Sequence, residues 1–168
     1  MKKIIFISGL SGTGKSTLKK YFDKNPIEGY RVYDFDMGKY GCPEDEKDHL
    51  EWRRKQTEHW LEVSAENLKL NIGTIIFGLA LYPEFIHEIA EKYGIDQSVI
   101  RFGVLTCDSG ERKQRLFGRG TPHHWKGEKE WYEEFHRKQA EIGALEINTS
   151  RLKLHEAARE IINKLVGE

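Results

Sequence analysis

The sequence predicts one α/β domain in which a five-stranded parallel sheet lies between two layers of helices, a three-layer α/β/α fold. Apolar, β-branched runs alternate with segments of helical spacing, which is typical of strands joined by right-handed helical crossovers. The first run, residues 3–8, is apolar and ends at glycine, as a central strand buried on both faces does. The 168 residues contain no repeat or linker, so a single domain over residues 1–168 is predicted.

The strands are predicted where β-branched or aromatic runs meet turn residues. They are residues 3–8 (KIIFIS), 31–36 (RVYDFD), 73–79 (GTIIFGL), 98–106 (SVIRFGVLT) and 144–148 (ALEIN). Helices are predicted between them: from near Gly14 through KSTLKKYF, within 44–70, from near Pro83, over 110–118, over about 128–141 and over about 151–166. Residues 44–70 contain neither proline nor glycine and carry apolar side chains at helical spacing, which favours one long helix or two kinked ones.

The charge balance, the cysteines and the length of the apolar segments limit the classes of function that are expected. Lys plus Arg and Asp plus Glu both total 27, so neither nucleic acid nor an acidic membrane surface is an expected partner. Cys42 and Cys107 are the only cysteines and form no CxxC pair, which argues against a disulfide framework or a zinc site and favours a reducing compartment. The first apolar run is too short for a signal peptide, and no segment has the length of a membrane helix. A cytoplasmic protein is therefore expected.

The stretch GLSGTGKST carries the strongest motif. Gly9, Gly14, Lys15 and Ser16 fit G-x-x-x-x-G-K-[ST], with a buried strand before and a helix after. In this motif backbone N–H groups and the helix N-terminus hold phosphates, the lysine reaches the terminal phosphates, and the hydroxyl suits Mg²⁺. The residues expected to bind the nucleotide are Gly9, Ser11, Gly12, Thr13, Gly14, Lys15, Ser16 and Thr17.

Two other interpretations of this stretch are open. One is a glycine-rich structural turn between a strand and a helix. The other is a dinucleotide-binding turn, because three glycines are followed by Asp34, 20 positions after Gly14. The spacing here is GxxGxG rather than GxGxxG, and that turn has no use for Lys15-Ser16-Thr17, so the phosphate-binding loop is favoured.

An acid pair stands at the end of the second predicted strand. Asp34 and Asp36 are two apart, so in a strand both carboxylates face the same side, beside the ligand crevice of an open α/β sheet. An acid there can orient an acceptor hydroxyl and take its proton. The alternative is a pair that only caps a turn or helix.

Three arginines follow the fourth strand. Arg112, Arg115 and Arg119 are spaced three and four apart, along one helix face, and Gly118 and Gly120 mark a hinge for a lid. Planar guanidinium groups stabilise the charge of a phosphoryl group in transfer. A solvated helix face is the alternative.

Together these motifs resemble the small P-loop kinases of the nucleoside monophosphate, shikimate and gluconate kinase type. The resemblance implies ATP and Mg²⁺ as cofactors, a small-molecule acceptor and a helical lid over about residues 109–130. It assigns Ser16 and Asp34 to the metal and Asp36 to the acceptor, an assignment that is reversible between the two acids. It makes Lys15, Asp36, Arg115 and Arg119 the expected catalytic residues.

The same resemblance places the acceptor near the second strand and the adenine near the last one. Asp34, Asp36, Trp52, Arg53, Arg54 and Gln56 are the expected acceptor-binding residues. Trp52, Gln56 and Trp60 recur every four residues, a face that stacks a base or sugar or, alternatively, packs in the core. Thr149 and Ser150 are expected both to cap the last helix and to border the adenine.

The sequence departs from related classes at two places. It lacks the N-K-x-D stretch of GTPases, and TIIFGL contains no aspartate where a Walker B acid is often found. The expected function is ATP-dependent, Mg²⁺-assisted phosphoryl transfer, with a nucleoside or nucleotide favoured as acceptor. A nucleotide-dependent switch or ATP-binding module is the alternative.

Overall fold

The computed structural model describes residues 1–45, 48–78, 83–125 and 129–167. Its strands are β1 (Ile4–Gly9), β2 (Tyr30–Asp34), β3 (Gly73–Phe77), β4 (Ile100–Thr106) and β5 (Leu145–Asn148). Its helices are α1 (Lys15–Lys24), α2 (His49–Lys69), α3 (Pro83–Lys92), α4 (Ser109–Gly118), α5 (Lys129–Glu141) and α6 (Leu154–Ile161). The α/β fold predicted from the sequence is confirmed.

The five strands form one parallel sheet in the order β2-β3-β1-β4-β5. β1 is central, and every one of its residues is buried. Because parallel strands end at the same edge of a sheet, the segments that follow β1, β2, β4 and β5 meet at one edge. That edge carries the glycine loop, the acid pair and the arginine helix.

The two faces of the sheet hold separate cores, as the two-residue period of β1 requires. Ile4 and Phe6 pack with Trp60 and Leu61 of α2 and Ile86 of α3. On the opposite face Ile5 and Ile7 pack with residues of α1 and α6, among them Leu18, Phe22, Ala157 and Ile161. Helices therefore cover both sides of the sheet.

Several element boundaries differ from the prediction. β2 ends at Asp34 instead of residue 36, because residues Phe35–Met37 form a 3₁₀ turn. The Asp34 side chain caps this turn by accepting a hydrogen bond from one of its first N–H groups. A second 3₁₀ turn, Gln97–Val99, delays β4 to Ile100. The last helix begins at Leu154 rather than near 151 and continues into a π-helical turn, Ile162–Val166.

Other expectations agree with the structure. The segment predicted as one or two helices within 44–70 is a single helix, α2. Part of the predicted lid, residues 126–128, lies outside the described residues. Within the part of the chain that is described, no helix combines the length and apolar character that crossing a bilayer requires.

Candidate active site

The glycine loop runs from the end of β1 to the start of α1, at the carboxyl edge of the sheet. Gly12 has a φ of 88°, in the left-handed region that favours glycine. Ser16 and Thr17 lie exposed in the first turn of α1, whose N-terminal N–H groups are available to an anion. Thr13 is buried, and its hydroxyl donates to the Leu10 carbonyl at 2.8 Å, so its side chain braces the loop.

The Lys15 side chain lies between charges of both signs. Its ammonium group donates hydrogen bonds to the Gly9 carbonyl and, at 3.0 Å, to the Leu10 carbonyl. Burial lowers the pKa of Lys15 to about 8; Asp36 and Asp34 oppose this shift, whereas Arg119 and Arg112 reinforce it. The loop lysine is therefore placed electrostatically between the acid pair and the arginine helix.

The acid pair is arranged differently from two neighbours on a strand. The Asp34 carboxylate accepts the Asp36 N–H at 3.1 Å and so caps the 3₁₀ turn, as the alternative interpretation of the pair expected for a turn. Burial, and then the Asp34 carboxylate, raise the pKa of Asp36, against the opposing effect of Arg53 and Lys15. Asp36 contributes only its backbone N–H to this cap, and its carboxylate interacts electrostatically with Asp34, Arg53 and Lys15.

Arg115 and Arg119 occupy different environments. The Arg115 guanidinium donates to the Thr149 hydroxyl and to the Thr149 carbonyl, both at 3.1 Å, and pairs with Glu111. Arg119 follows α4, is exposed, and donates from Nε to the Thr121 hydroxyl at 2.9 Å. Arg115 is held in the wall of the cavity, whereas Arg119 lies exposed just beyond the end of α4.

The segment after β5 ties the site together. The Thr149 hydroxyl lies 2.8 Å from the Thr13 carbonyl oxygen and 3.0 Å from the Thr106 carbonyl oxygen, and it also accepts from Arg115. Ser150 accepts the Asp108 N–H at 2.6 Å. Thr149 and Ser150 thus join the ends of β4 and β5 to the glycine loop, instead of capping α6, which begins at Leu154.

A cavity of about 380 Å³ opens between the glycine loop, α4 and the start of α6. Its lining comprises Gly12, Gly14, Thr17, Leu18, Arg115, Arg119, Thr149, Leu152, Leu154 and Ala157. One wall is basic or donates N–H groups, and the other is aliphatic, which suits a ligand with an anionic end and a flat apolar end. Sequence reasoning missed Leu152 and Leu154, because leucines at the start of a helix are read as core positions.

The residues of α2 that were predicted to bind the acceptor lie in different environments. Trp52 and Trp60 are only 7% and 5% exposed, and their indole N–H groups donate to the Tyr40 and Phe35 carbonyls at 3.0 Å. Gln56 is fully buried and bonds to the Phe35 carbonyl and the Tyr40 N–H. This face of α2 is core packing that supports the loop after β2, the second of the two interpretations of its spacing.

The neighbouring residues Arg53 and Arg54 contact different parts of the protein. Arg53 lies over the Trp52 ring, 5.6 Å from its centroid, and its charge lowers the pKa of Asp36. Arg54 is exposed, pairs with Glu88 and stacks on Phe85, so it belongs to the contact between α2 and α3. Of the two, Arg53 is the one that faces the acid pair.

Gly78, directly after β3, explains why no acid stands there. A Cβ atom on Gly78 would lie 2.4 Å from the Cβ of Phe35, closer than real Cβ atoms approach. Phe35 is itself fully buried under the acid pair. A side chain of any kind at this position would displace the turn that carries Asp36, which leaves β2 to supply carboxylates.

The donor set fits Mg²⁺, which the resemblance implied. The Ser16 hydroxyl and the two aspartates offer the hard oxygen ligands that this ion prefers. No cluster of three or more His, Cys, Asp or Glu side chains suited to a metal was found within the described ranges. Nucleotide-bound Mg²⁺ is usually held by one or two protein oxygens and by substrate phosphates, so it requires no such cluster.

Fold and site together define a class. The glycine loop has the pattern G-x-x-x-x-G-K-S and lies at the carboxyl edge of a parallel sheet of order β2-β3-β1-β4-β5. This combination is the nucleotide-binding loop of a P-loop protein. A family model described as an AAA domain matches residues 5–136, and the chain belongs to that family. None of the curated proteins matches the sequence.

Solved structures with the same fold include several kinases. A gluconokinase from Sinorhizobium meliloti 1021 has a TM-score of 0.63 at 18% identity, over 98% of this chain and 90% of that one. The tunicamycin resistance protein of Deinococcus radiodurans has a TM-score of 0.67 at 17% identity, over 98% and 95%. The APS kinase CysC of Mycobacterium tuberculosis has a TM-score of 0.56 at 17% identity, over 99% and 98%. The chain therefore has the fold of the P-loop kinases.

Proposed function

We propose that this protein is a kinase that transfers the γ-phosphoryl group of ATP, with Mg²⁺, to a small-molecule acceptor. The observation that carries the proposal is the position of Asp36. β2 and β1 are separated by β3, yet among the charged neighbours of Lys15 the Asp36 carboxylate has the largest effect on its pKa. A phosphate-binding lysine and a candidate acceptor carboxylate thus belong to one electrostatic site.

The roles follow from this arrangement. The loop N–H groups and Lys15 hold the β- and γ-phosphates, and Ser16 with Asp34 holds Mg²⁺, which when bound neutralises charge on the phosphates. Gly9, Ser11, Gly12, Gly14 and Thr17 complete the loop, with Thr13 as its brace. Asp36 orients the acceptor hydroxyl and accepts its proton, and its raised pKa makes it a better base than an aspartate with an ordinary pKa.

The lid side stabilises the transferred group. Arg115 fixes one wall of the nucleotide cavity, and Arg119 approaches the phosphates when the lid closes. Thr149 borders the nucleotide together with Leu152 and Leu154, which contact the base, and these three residues line the cavity. Ser150, next to Thr149 in the chain, is assigned to the same border. These assignments rest on the lining of one cavity by the loop, α4 and the start of α6.

The acceptor class is proposed more broadly than sequence reasoning favoured. With Trp52, Gln56 and Trp60 in the core, the case for a nucleoside or nucleotide acceptor rests on Arg53 beside Asp36. Of the proteins with a similar fold, one is a gluconokinase and one an APS kinase. Sugar acids therefore stand beside nucleosides and nucleotides as candidate acceptors.

A nucleotide-dependent switch or ATP-binding module is the second candidate, because β3 ends at Phe77 and is followed by Gly78, with no Walker B acid. Replacing Asp36 by Asn separates the two. For a kinase we expect transfer to fall by about 10²- to 10⁴-fold, the usual contribution of a positioned base. The affinity for Mg·ATP should change little, since the loop and Lys15 remain.

The measurement compares ADP production with ATP affinity from calorimetry. Asp23→Asn is the matched control, because Asp23 is an exposed aspartate of α1 that pairs with Lys19. Full transfer activity in Asp36→Asn would remove Asp36 from the reaction.

A further inference from the structure

Arg112 is a buried arginine to which the proposed function assigns no role. It lies in α4 and is only 3% exposed. Its guanidinium Nη1 donates to the Ser11 carbonyl at 3.1 Å. The buried arginine therefore reaches from α4 into the glycine loop, 101 residues earlier in the chain.

The loop also rests on the stem of this side chain. A Cβ atom added to Gly12 would lie 3.0 Å from Cγ of Arg112 and 3.1 Å from Cγ of Leu116. One position later in the loop, the Gly12 carbonyl lies 3.4 Å from Nη1 of Arg115. Two consecutive carbonyls of the loop therefore face α4 and are held by its arginines.

Holding a carbonyl fixes the N–H of the same peptide group. A trans peptide is planar, so its C=O and N–H point in opposite directions. When Arg112 binds the Ser11 carbonyl, the Gly12 N–H must point away from α4. Gly12 imposes little preference of its own because glycine is conformationally permissive, so this external contact determines the orientation.

The other side of the guanidinium contacts the lid segment. Trp125 ends the 3₁₀ turn Pro122–Trp125, and the Arg112 guanidinium carbon lies 4.8 Å from the centroid of its ring. This is the distance of a cation–π contact. Arg112 therefore contacts both the glycine loop and the turn that follows the lid hinge at Gly118 and Gly120.

We propose that Arg112 is a positioning residue that sets the direction of the Gly12 N–H in the phosphate-binding loop and couples this loop to the lid turn through Trp125. The proposal rests on the proposed nucleotide-binding function. It differs from the roles of Arg115 and Arg119, because those two arginines line the cavity, whereas Arg112 holds a loop carbonyl and is not part of that lining.

The test is the affinity of Arg112→Met for Mg·ATP. Methionine has a similar length, keeps the apolar contact with Gly12, and removes the charge; replacing a buried charge by an apolar residue is often tolerated. We expect a folded protein whose Kd for Mg·ATP rises about tenfold or more, as loss of a hydrogen bond from a charged donor implies. In turnover assays the loss should fall on KM for ATP.

Arg137→Met is the matched control, because Arg137 is an exposed arginine of α5 paired with Glu141. Wild-type affinity in Arg112→Met would overturn the proposal. If Arg112→Met does not fold, Arg112→Lys decides: a point-like ammonium keeps the charge but lacks the planar fork, so weaker ATP binding is expected. Wild-type affinity in this variant would likewise overturn the proposal.

The coupling to the lid is tested by a double-mutant cycle of Arg112→Met with Trp125→Leu, read as the Kd for Mg·ATP. We expect the double variant to bind better than the sum of the single losses predicts, since both remove the same contact. Additive losses would overturn the coupling to Trp125.

The proposal for Arg112 and the proposed kinase activity can be overturned independently. A wild-type protein that binds ATP but phosphorylates no acceptor overturns the proposed kinase and leaves the role of Arg112 to the affinity test. A wild-type protein that does not bind ATP overturns both.

Discussion

At the scale of single residues, charge balance around Lys15 determines how the site responds to pH. Burial lowers its pKa to about 8, so in the free protein the ammonium loses its proton as the pH rises through that value. Phosphates favour the charged form and raise the pKa when nucleotide binds. Nucleotide affinity should therefore be full below about pH 8 and decline above it.

The size of this effect follows from linkage. Between pH 7 and pH 9 we expect the affinity for Mg·ADP to fall by about tenfold, because a group with a pKa near 8 changes from mostly charged to mostly neutral. Calorimetry near pH 8 should detect uptake of about half a proton per nucleotide. The nucleotide phosphates contribute little, since they titrate near pH 6.

Lys15→Arg is the control for this experiment, because arginine stays charged over the whole range. Its residual nucleotide affinity should not depend on pH between 7 and 9. A wild-type affinity that is equally flat would mean that Lys15 keeps its ordinary pKa and is not desolvated in the free loop.

Asp34 and Asp36 show what residue patterns convey and what they omit. Their spacing in the sequence indicated an acid pair at the carboxyl end of a strand, and the pair lies at that edge of the sheet. The end of β2 was misplaced because it depends on one side-chain contact, the Asp34 carboxylate on the Asp36 N–H. Strand periodicity carries no signal for such a cap.

At the scale of elements, the segment after β5 joins the two halves of the site. The Thr149 hydroxyl lies within hydrogen-bond distance of carbonyls from the glycine loop and from β4 and accepts from α4. It therefore holds three elements in register without belonging to any of them. Its contribution is to stability as well as to the cavity.

Thr149→Val tests this contribution. Valine has the same shape but leaves the buried partners of the hydroxyl unpaired, so we expect the free energy of unfolding to fall by about 1–3 kcal/mol. Denaturant unfolding measures the change. Thr149→Ser keeps the hydroxyl and should recover much of the loss; a valine variant as stable as the wild type would show that these bonds contribute nothing net.

Helix α2 shows a limit of reasoning from spacing. Trp52, Gln56 and Trp60 were predicted to share a face, and they do, but the same spacing serves a binding face and a core face. The structure distinguishes the two because the polar atoms of this face bond to the loop that follows β2. Only the position of that loop, whose bonded residues lie 12 to 25 residues earlier in the chain, supplies the information.

At the scale of the whole molecule, the sequence predicted a parallel sheet covered by helices on both faces, and the structure adds the strand order. Apolar strands alternating with helices strongly restrict the topology. The pairing of α4 with the loop depended on tertiary packing instead, so sequence reasoning identified Arg115 and Arg119 but assigned no role to the buried Arg112. The glycine at position 78 also depends on tertiary packing, because Phe35 lies too close to leave room for a side chain there.

The measurement that tests the central claim most directly is ADP release from Mg·ATP across a panel of acceptors. The panel comprises nucleosides, nucleotides, sugar acids, aminoglycosides and 5′-hydroxyl oligonucleotides, with Lys15→Ala as the control. The account predicts release that depends on one class of small acceptor and is lost in the control. Demonstrable ATP binding with no acceptor-dependent release from any member of the panel would contradict the kinase and favour the nucleotide-dependent binding module.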